Sequence, residues 1–102
     1  MSEFKTVANA ADIDESGLAG FLVDGERVGV ANVGGTFHAF DNTCTHRQCS
    51  LSSGQLEGTV VTCPCHGSQF DVTTGEVLRG PAHEPVRSYA ARVENQALQV
   101  EI

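Results

Sequence analysis

Four cysteines and two histidines crowd the stretch from Cys44 to His66. Cys44-Thr45-His46 is followed, after sixteen intervening residues, by Cys63-Pro64-Cys65-His66. As spacing, this is C-x-H and then C-x-x-H. Each segment offers one thiolate and one imidazole within reach of the same point, so two loops could close a four-ligand metal pocket.

Three chemistries compete for that set. Zinc accepts Cys₂His₂ ligands in tetrahedral sites. Familiar zinc spacings group like ligands, however, whereas each loop here mixes them and leaves Cys49 and Cys65 over. A disulfide framework on four cysteines has three connectivities, but it ignores both histidines and suits secreted chains. A binuclear iron–sulfur cluster accommodates mixed loops, since each loop can give its thiolate to one iron and its imidazole to the other.

The elements around the loops are short strands and turns. Phe21-Leu22-Val23 and Glu26 to Val33 flank Asp24-Gly25, a dipeptide suited to a two-residue hairpin. Gly34-Gly35-Thr36 separates Val33 from a strand at Phe37-His38-Ala39-Phe40. Thr59-Val60-Val61-Thr62 is β-branched throughout. Arg87 to Val93 and Ala97 to Ile102 alternate apolar and polar residues about Glu94-Asn95-Gln96, which reads as a further hairpin. One helical turn is expected within Ala8 to Ser16, capped by Asp12 or Asp14. The fold class is all-β, an antiparallel sandwich or barrel. From Thr43 to Phe70 the periodicity lapses, and Arg47 and Glu57 are the only acidic or basic residues apart from histidine. That segment looks like a site inserted into a rigid scaffold.

The bulk numbers narrow the partners. With 102 residues the chain is expected to form a single domain, 1–102. A formal charge of −7 argues against nucleic acid and anionic membranes, which call for a basic footprint. The acidity fits either steering toward a basic protein partner or simple solubility. No signal segment and no apolar run of ~20 residues is visible. The chain therefore reads as cytoplasmic and without a membrane span, and a monomer is expected. Clustered Cys with His in that compartment points to metal before disulfides.

The pattern resembles the Rieske proteins, and the flanking strands, glycines and prolines fit across essentially the whole chain. The resemblance implies one [2Fe–2S] cluster, held by a two-loop cluster-binding subdomain at about 43–83. Cys44 and Cys63 match the thiolates of the inner iron, and His46 and His66 match the ligands of the outer iron. Two neutral imidazoles in place of two thiolates leave the oxidised unit formally neutral, which eases reduction; such centres span roughly −150 to +300 mV. Cys49 and Cys65 match the pair that forms a disulfide between the ligand loops in disulfide-bearing members. Ser68 matches a serine donating to a cluster sulfide. Phe70 stands where those members often place a tyrosine donor, so a lower potential is expected; its ring also suits core packing. Pro81, in Gly80-Pro81-Ala82, matches the loop covering the cluster's third side. His38 and His83 lack ligand spacing and read as packing or surface residues.

No nucleophile with a base and no isolated carboxylate pair suggests substrate chemistry, so an electron-transfer component rather than an enzyme is expected. The edge around His46 and His66, ringed by Gln48, Pro64, Gly67 and Pro81, is nearly uncharged and suits short-range docking. By resemblance to oxygenase ferredoxins, the partners are a flavin-dependent reductase and a terminal oxygenase. Alternatives are a Rieske subunit of a larger complex (arsenite-oxidase-like or respiratory), the Rieske-fold small subunit of nitrite reductase, and a zinc-stabilised interaction module.

Overall fold

The computed structural model describes residues 3–43, 49–65, 67–80 and 84–102. Eleven strands among these build three antiparallel sheets. The first sheet joins β1 (Phe4–Asn9) to β11 (Ala97–Glu101) and then β10 (Ala91–Glu94). The second runs β2 (Leu18–Val23), β3 (Glu26–Val33), β4 (Thr36–Asp41) and β9 (Ser88–Tyr89). The third runs β5 (Gln55–Glu57), β6 (Val60–Thr62), β7 (Gln69–Asp71) and β8 (Val77–Arg79). The all-β expectation holds.

The expected hairpins form. Asp24 and Gly25 take positive φ values of 50° and 83° between β2 and β3, the backbone a two-residue reversal demands. Asn95 and Gln96, at 50° and 68°, do the same between β10 and β11. Two expectations need correction. The turn near Ala8–Ser16 is a single 3₁₀ turn, Ala10–Asp12, and its cap is Asn9. The Asn9 side chain accepts from Ala11 N–H, while Asp12 reaches back to accept from Asn9 N–H. Arg87–Val93 is not one strand: β9 pairs with β4, and after Ala90 the chain changes sheets so that β10 pairs with β11.

β3 is the strand that joins the interior together, because both its faces are buried. Val28 and Val30 pack with Ile13, Ala39, Leu98 and Val100 on the side of the first sheet. Ala31, on the opposite face, packs with Phe40, Leu51, Leu56, Val61, Cys63, Phe70, Val72 and Val86. Gly29 allows this: a Cβ there would lie 2.5 Å from the Phe40 ring, directly across the ladder. The second apolar cluster therefore runs continuously from the scaffold to Cys63. No helix among the described residues is long and apolar enough to cross a membrane.

Candidate metal centre

The loop after β4 is fastened at its base. Thr43 and Ser50 form an isolated antiparallel bridge, so the chain leaves and returns at one point around 44–49. Asn42 is the clamp there. It is buried, its carboxamide oxygen accepts from Ser52 N–H at 2.7 Å, and its amide donates to Ser52 Oγ at 2.9 Å. Its backbone carbonyl also accepts from Leu51 N–H. Leu51 begins a 3₁₀ turn, Leu51–Ser53, and is fully buried, anchoring the returning chain in the core. Arg27 adds a guanidinium bond to Ser50 Oγ.

The second loop is the connection between β6 and β7. Thr62 pairs with Gln69, and the Gln69 side chain donates to Thr62 Oγ1 at 3.2 Å. Within the loop, Cys63 N–H donates to the Ser68 carbonyl at 2.7 Å, and Gly67 N–H donates to the Cys63 carbonyl at 3.2 Å. Both backbone polar groups of Cys63 are thus satisfied inside its own loop. Its side chain turns into the apolar cluster, and the residue is only 2 % exposed. Ser68 and Phe70 are fully buried beside it in the chain. Phe70 belongs to the same apolar cluster as Cys63, which is the core-packing role expected of it. Pro64 and Cys65 are exposed.

A Cys49–Cys65 disulfide ties the two loops together, with Cα atoms 6.5 Å apart. Cys49 packs against the apolar cluster. The sulfurs of Cys49, Cys63 and Cys65 all lie within 4.8 Å of one another. Cys44, His46, Gln48, His66, Pro81 and His83 lie outside the described residues, so the structure speaks directly for Cys63, Cys49, Cys65, Ser68 and Phe70 alone. His38 is half-buried on β4, where it pairs with Ala31. Asn42, Leu51 and Arg27 went unnoticed in the sequence. Their only local signal was polar residues on either side of a Cys-rich loop.

Among the described residues, the surroundings shift the pKa of two groups clearly, and both lie in the scaffold strands. A hydrogen bond from Lys5 to the Asp24 carboxylate, 2.9 Å away, raises the Lys5 pKa. Burial raises that of Tyr89. The described parts of the two loops, Cys49–Gly54 and Cys63–Gly67, carry no acidic or basic residue.

A soft metal centre fits this arrangement. A buried thiol stands at the mouth of a hydrogen-bonded loop, cross-linked to a second loop, in a wall of apolar side chains.

The Rieske [2Fe-2S] domain family matches residues 3–90. The ferredoxin component of the naphthalene 1,2-dioxygenase system of Pseudomonas putida is 35% identical over 92 residues, 90% of this chain and 88% of that protein. The biphenyl dioxygenase ferredoxin subunit of Pseudomonas sp. (strain KKS102) is 40% identical over 79 residues, 76% of this chain and 72% of that one. Among solved structures, the ferredoxin of carbazole 1,9a-dioxygenase from Nocardioides aromaticivorans IC177 superposes with a TM-score of 0.91 at 30% identity, covering 95% of both chains. A complex of reduced oxygenase and oxidised ferredoxin in carbazole 1,9a-dioxygenase contains a chain with a TM-score of 0.90 at 33% identity, covering 95% of this chain and 91% of that one.

The chain belongs to the Rieske [2Fe–2S] family. Its cofactor is one [2Fe–2S] cluster, and it is an electron carrier rather than a catalyst.

Proposed function

We propose that the chain takes single electrons from a flavin-dependent reductase and passes them to a terminal oxygenase, through a cluster held by Cys44, His46, Cys63 and His66. The observation that carries the ligand assignment is Cys63. It is buried at the mouth of a loop that the Cys49–Cys65 bridge binds to the other ligand loop. Relatives named as ferredoxin components of naphthalene and biphenyl dioxygenase systems support the oxygenase as acceptor, as does the ferredoxin–oxygenase complex among the structural neighbours.

When bound, the cluster supplies a one-electron store. The residues of the chain do the rest. Cys63 presents its thiolate from a backbone held by Ser68 and Gly67, so little loop ordering remains when the metal enters. Phe70 and Leu51 close the interior side against water. Exposed Pro64 and Cys65 help to give the outer rim a nearly uncharged surface, on which a partner can dock closely while desolvating little charge. The acidic body is free to steer the encounter from further away.

The same reading treats 1–102 as one domain with its cluster-binding part at about 43–83. In support, β5 to β8 and both fastened loops fall inside that span. It also places the protein in the cytoplasm, where a flavin-dependent reductase would draw on the nicotinamide pool, and as a monomer.

Protein from iron-replete cells is expected to hold iron and acid-labile sulfide in the equal amounts of one [2Fe–2S] unit per chain. His46→Ala, His66→Ala and Cys63→Ser should each lose it, while His38→Ala should keep it. Zinc in place of iron, or a full cluster in His66→Ala, would overturn the ligand assignment. Reduced protein that fails to drive turnover of any oxygenase encoded beside it would overturn the choice of acceptor.

A further inference from the structure

Three sulfur atoms meet where the two loops join, those of Cys49, Cys63 and Cys65, all within 4.8 Å of one another. Two of them are bridged. The third belongs to Cys63, and its part in the exchange rests on its proposed role as a cluster ligand. We propose that loss of the cluster releases Cys63 to attack the neighbouring bridge, so that the cluster-free chain isomerises to a Cys49–Cys63 disulfide that no longer accepts a cluster.

The chemistry is thiol–disulfide exchange, in which a thiolate displaces one sulfur of a bridge by attacking the other. At this separation the attacking sulfur starts beside the bridge. The Cys63–Cys49 sulfur bond forms as the Cys49–Cys65 bond breaks. The proton that leaves Cys63 is balanced by the one that the departing Cys65 sulfur takes up. No electrons enter or leave, so no oxidant is required.

Burial decides which sulfur is attacked. Cys49 packs against the apolar cluster that contains Cys63, whereas Cys65 is exposed. Attack on Cys49 expels a thiolate into water, where its charge is solvated. Attack on Cys65 would leave the charged sulfur of Cys49 against the core, and would close a cramped ring across Pro64 alone. Loop closure hardly separates the two bridges. Cys49 and Cys65 are 16 positions apart, Cys49 and Cys63 fourteen, and the entropy varies only with the logarithm of loop length. The shifted bridge is therefore favoured by placing the two sulfurs packed with the apolar cluster in the disulfide and the exposed one in the thiol. It also removes Cys63 from the ligand set until a dithiol reductant reopens it.

The test strips the cluster from the full-length protein with a chelator, under argon and without added thiol. Samples are quenched in acid at intervals, alkylated and mapped by fragmenting the peptides. The Cys49–Cys65 cross-link should decay and a Cys49–Cys63 cross-link replace it in most chains, with the alkyl label moving from Cys63 to Cys65. Dithiothreitol followed by alkylation should label all four cysteines. Cys44→Ser should still shift its bridge, and Cys63→Ser should keep the original one. A persistent Cys49–Cys65 cross-link with labelled Cys63 would overturn the proposal, as would a new bridge through Cys44. Iron and sulfide content before stripping, with protection of Cys63 from alkylation in the loaded protein, tests the ligand reading separately.

Discussion

Gly54 sits between the 3₁₀ turn at Leu51–Ser53 and β5, with a φ of −89° that any residue adopts. A Cβ at this position would lie 1.9 Å from the carbonyl oxygen of Thr62 and 3.2 Å from that of Leu51. The nearer contact is backbone, so no flexible side chain can swing aside. To reach an ordinary separation, the two segments must part by more than ~1 Å, a shift on the scale at which overpacked sites cost about 1–3 kcal/mol. Reducing the freedom of the unfolded chain returns only about 0.4–1 kcal/mol. Strain on the adjoining β5–β6 ladder adds part of a hydrogen bond, about 0.5–1.5 kcal/mol. Gly54→Ala should thus destabilise by about 2 kcal/mol, which in a domain of this size lowers Tm by roughly 8–16 °C.

The displaced carbonyl belongs to the residue before Cys63, so the effect should not stop at stability. Thermal unfolding followed in parallel by far-ultraviolet circular dichroism and visible cluster absorbance would show both, with cluster loss moving at least as far as strand loss. Gly58→Ala is the control. Its Cβ meets nothing within 4 Å, and only its φ of 59° is costly, so a loss of about 1 kcal/mol with an unchanged visible spectrum is expected. A Gly54→Ala protein as stable as the parent would refute the close approach and, with it, the claim that the turn presses directly on the Cys63 strand.

Cys49→Ser/Cys65→Ser removes a bridge across a separation of 16 residues, worth about 3 kcal/mol in the chain-entropy account; chemical denaturation of the cluster-free chain measures it. Phe70→Tyr adds a phenol to a fully buried ring position. If that hydroxyl reaches a ligand sulfur the midpoint potential should rise by several tens of millivolts, since one electron converts about 1.4 kcal/mol into 59 mV. Ser68→Ala should move it down by a similar amount, and direct electrochemistry reads both. Asn42→Ala removes a buried carboxamide together with its two bonds to Ser52, so a loss of about 2–3 kcal/mol and faster cluster release on heating are expected.

The scaffold was legible where local chemistry dictates geometry. Asp24-Gly25 names its turn because few residues tolerate positive φ, and the alternation of Ala97–Glu101 appears in the folded strand as alternating burial. The change of sheets at Ala90 was not legible. The alternation in Arg87–Val93 lapses at Tyr89-Ala90-Ala91, but a short apolar run does not say which sheet follows, and the tertiary arrangement decides that Tyr89 pairs with β4 while Ala91 joins β11. Leu51 and Gly54 lay hidden in a run of serine and glycine that reads as loop, because what defines them is contact with β6 and the core. For the cysteines, residue types alone left three pairings open. It was the family resemblance that singled out Cys49–Cys65, and the structure contains that bridge.

The bridge and the cluster are near-duplicates as cross-links. The ligand assignment has the cluster joining the loop at 44–46 to the loop at 63–66, while the disulfide joins 49 to 65. Two cross-links over almost the same loop do not add their entropic effects, since the second closes a chain the first has already closed. In the loaded protein the bridge should therefore contribute far less than its ~3 kcal/mol. Its full effect appears when the cluster is absent, in the interval before Cys63 displaces it. There it keeps the Cys63 loop beside its partner loop, so that metal meets a formed site rather than a free chain. This role demands that the bridge sulfurs lie close to that of Cys63, the proposed ligand, and the 4.8 Å grouping satisfies it. The same proximity exposes the bridge to attack by Cys63 once the metal has gone, so the cross-link that prepares the site and the exchange that closes it both arise from one arrangement of three sulfurs.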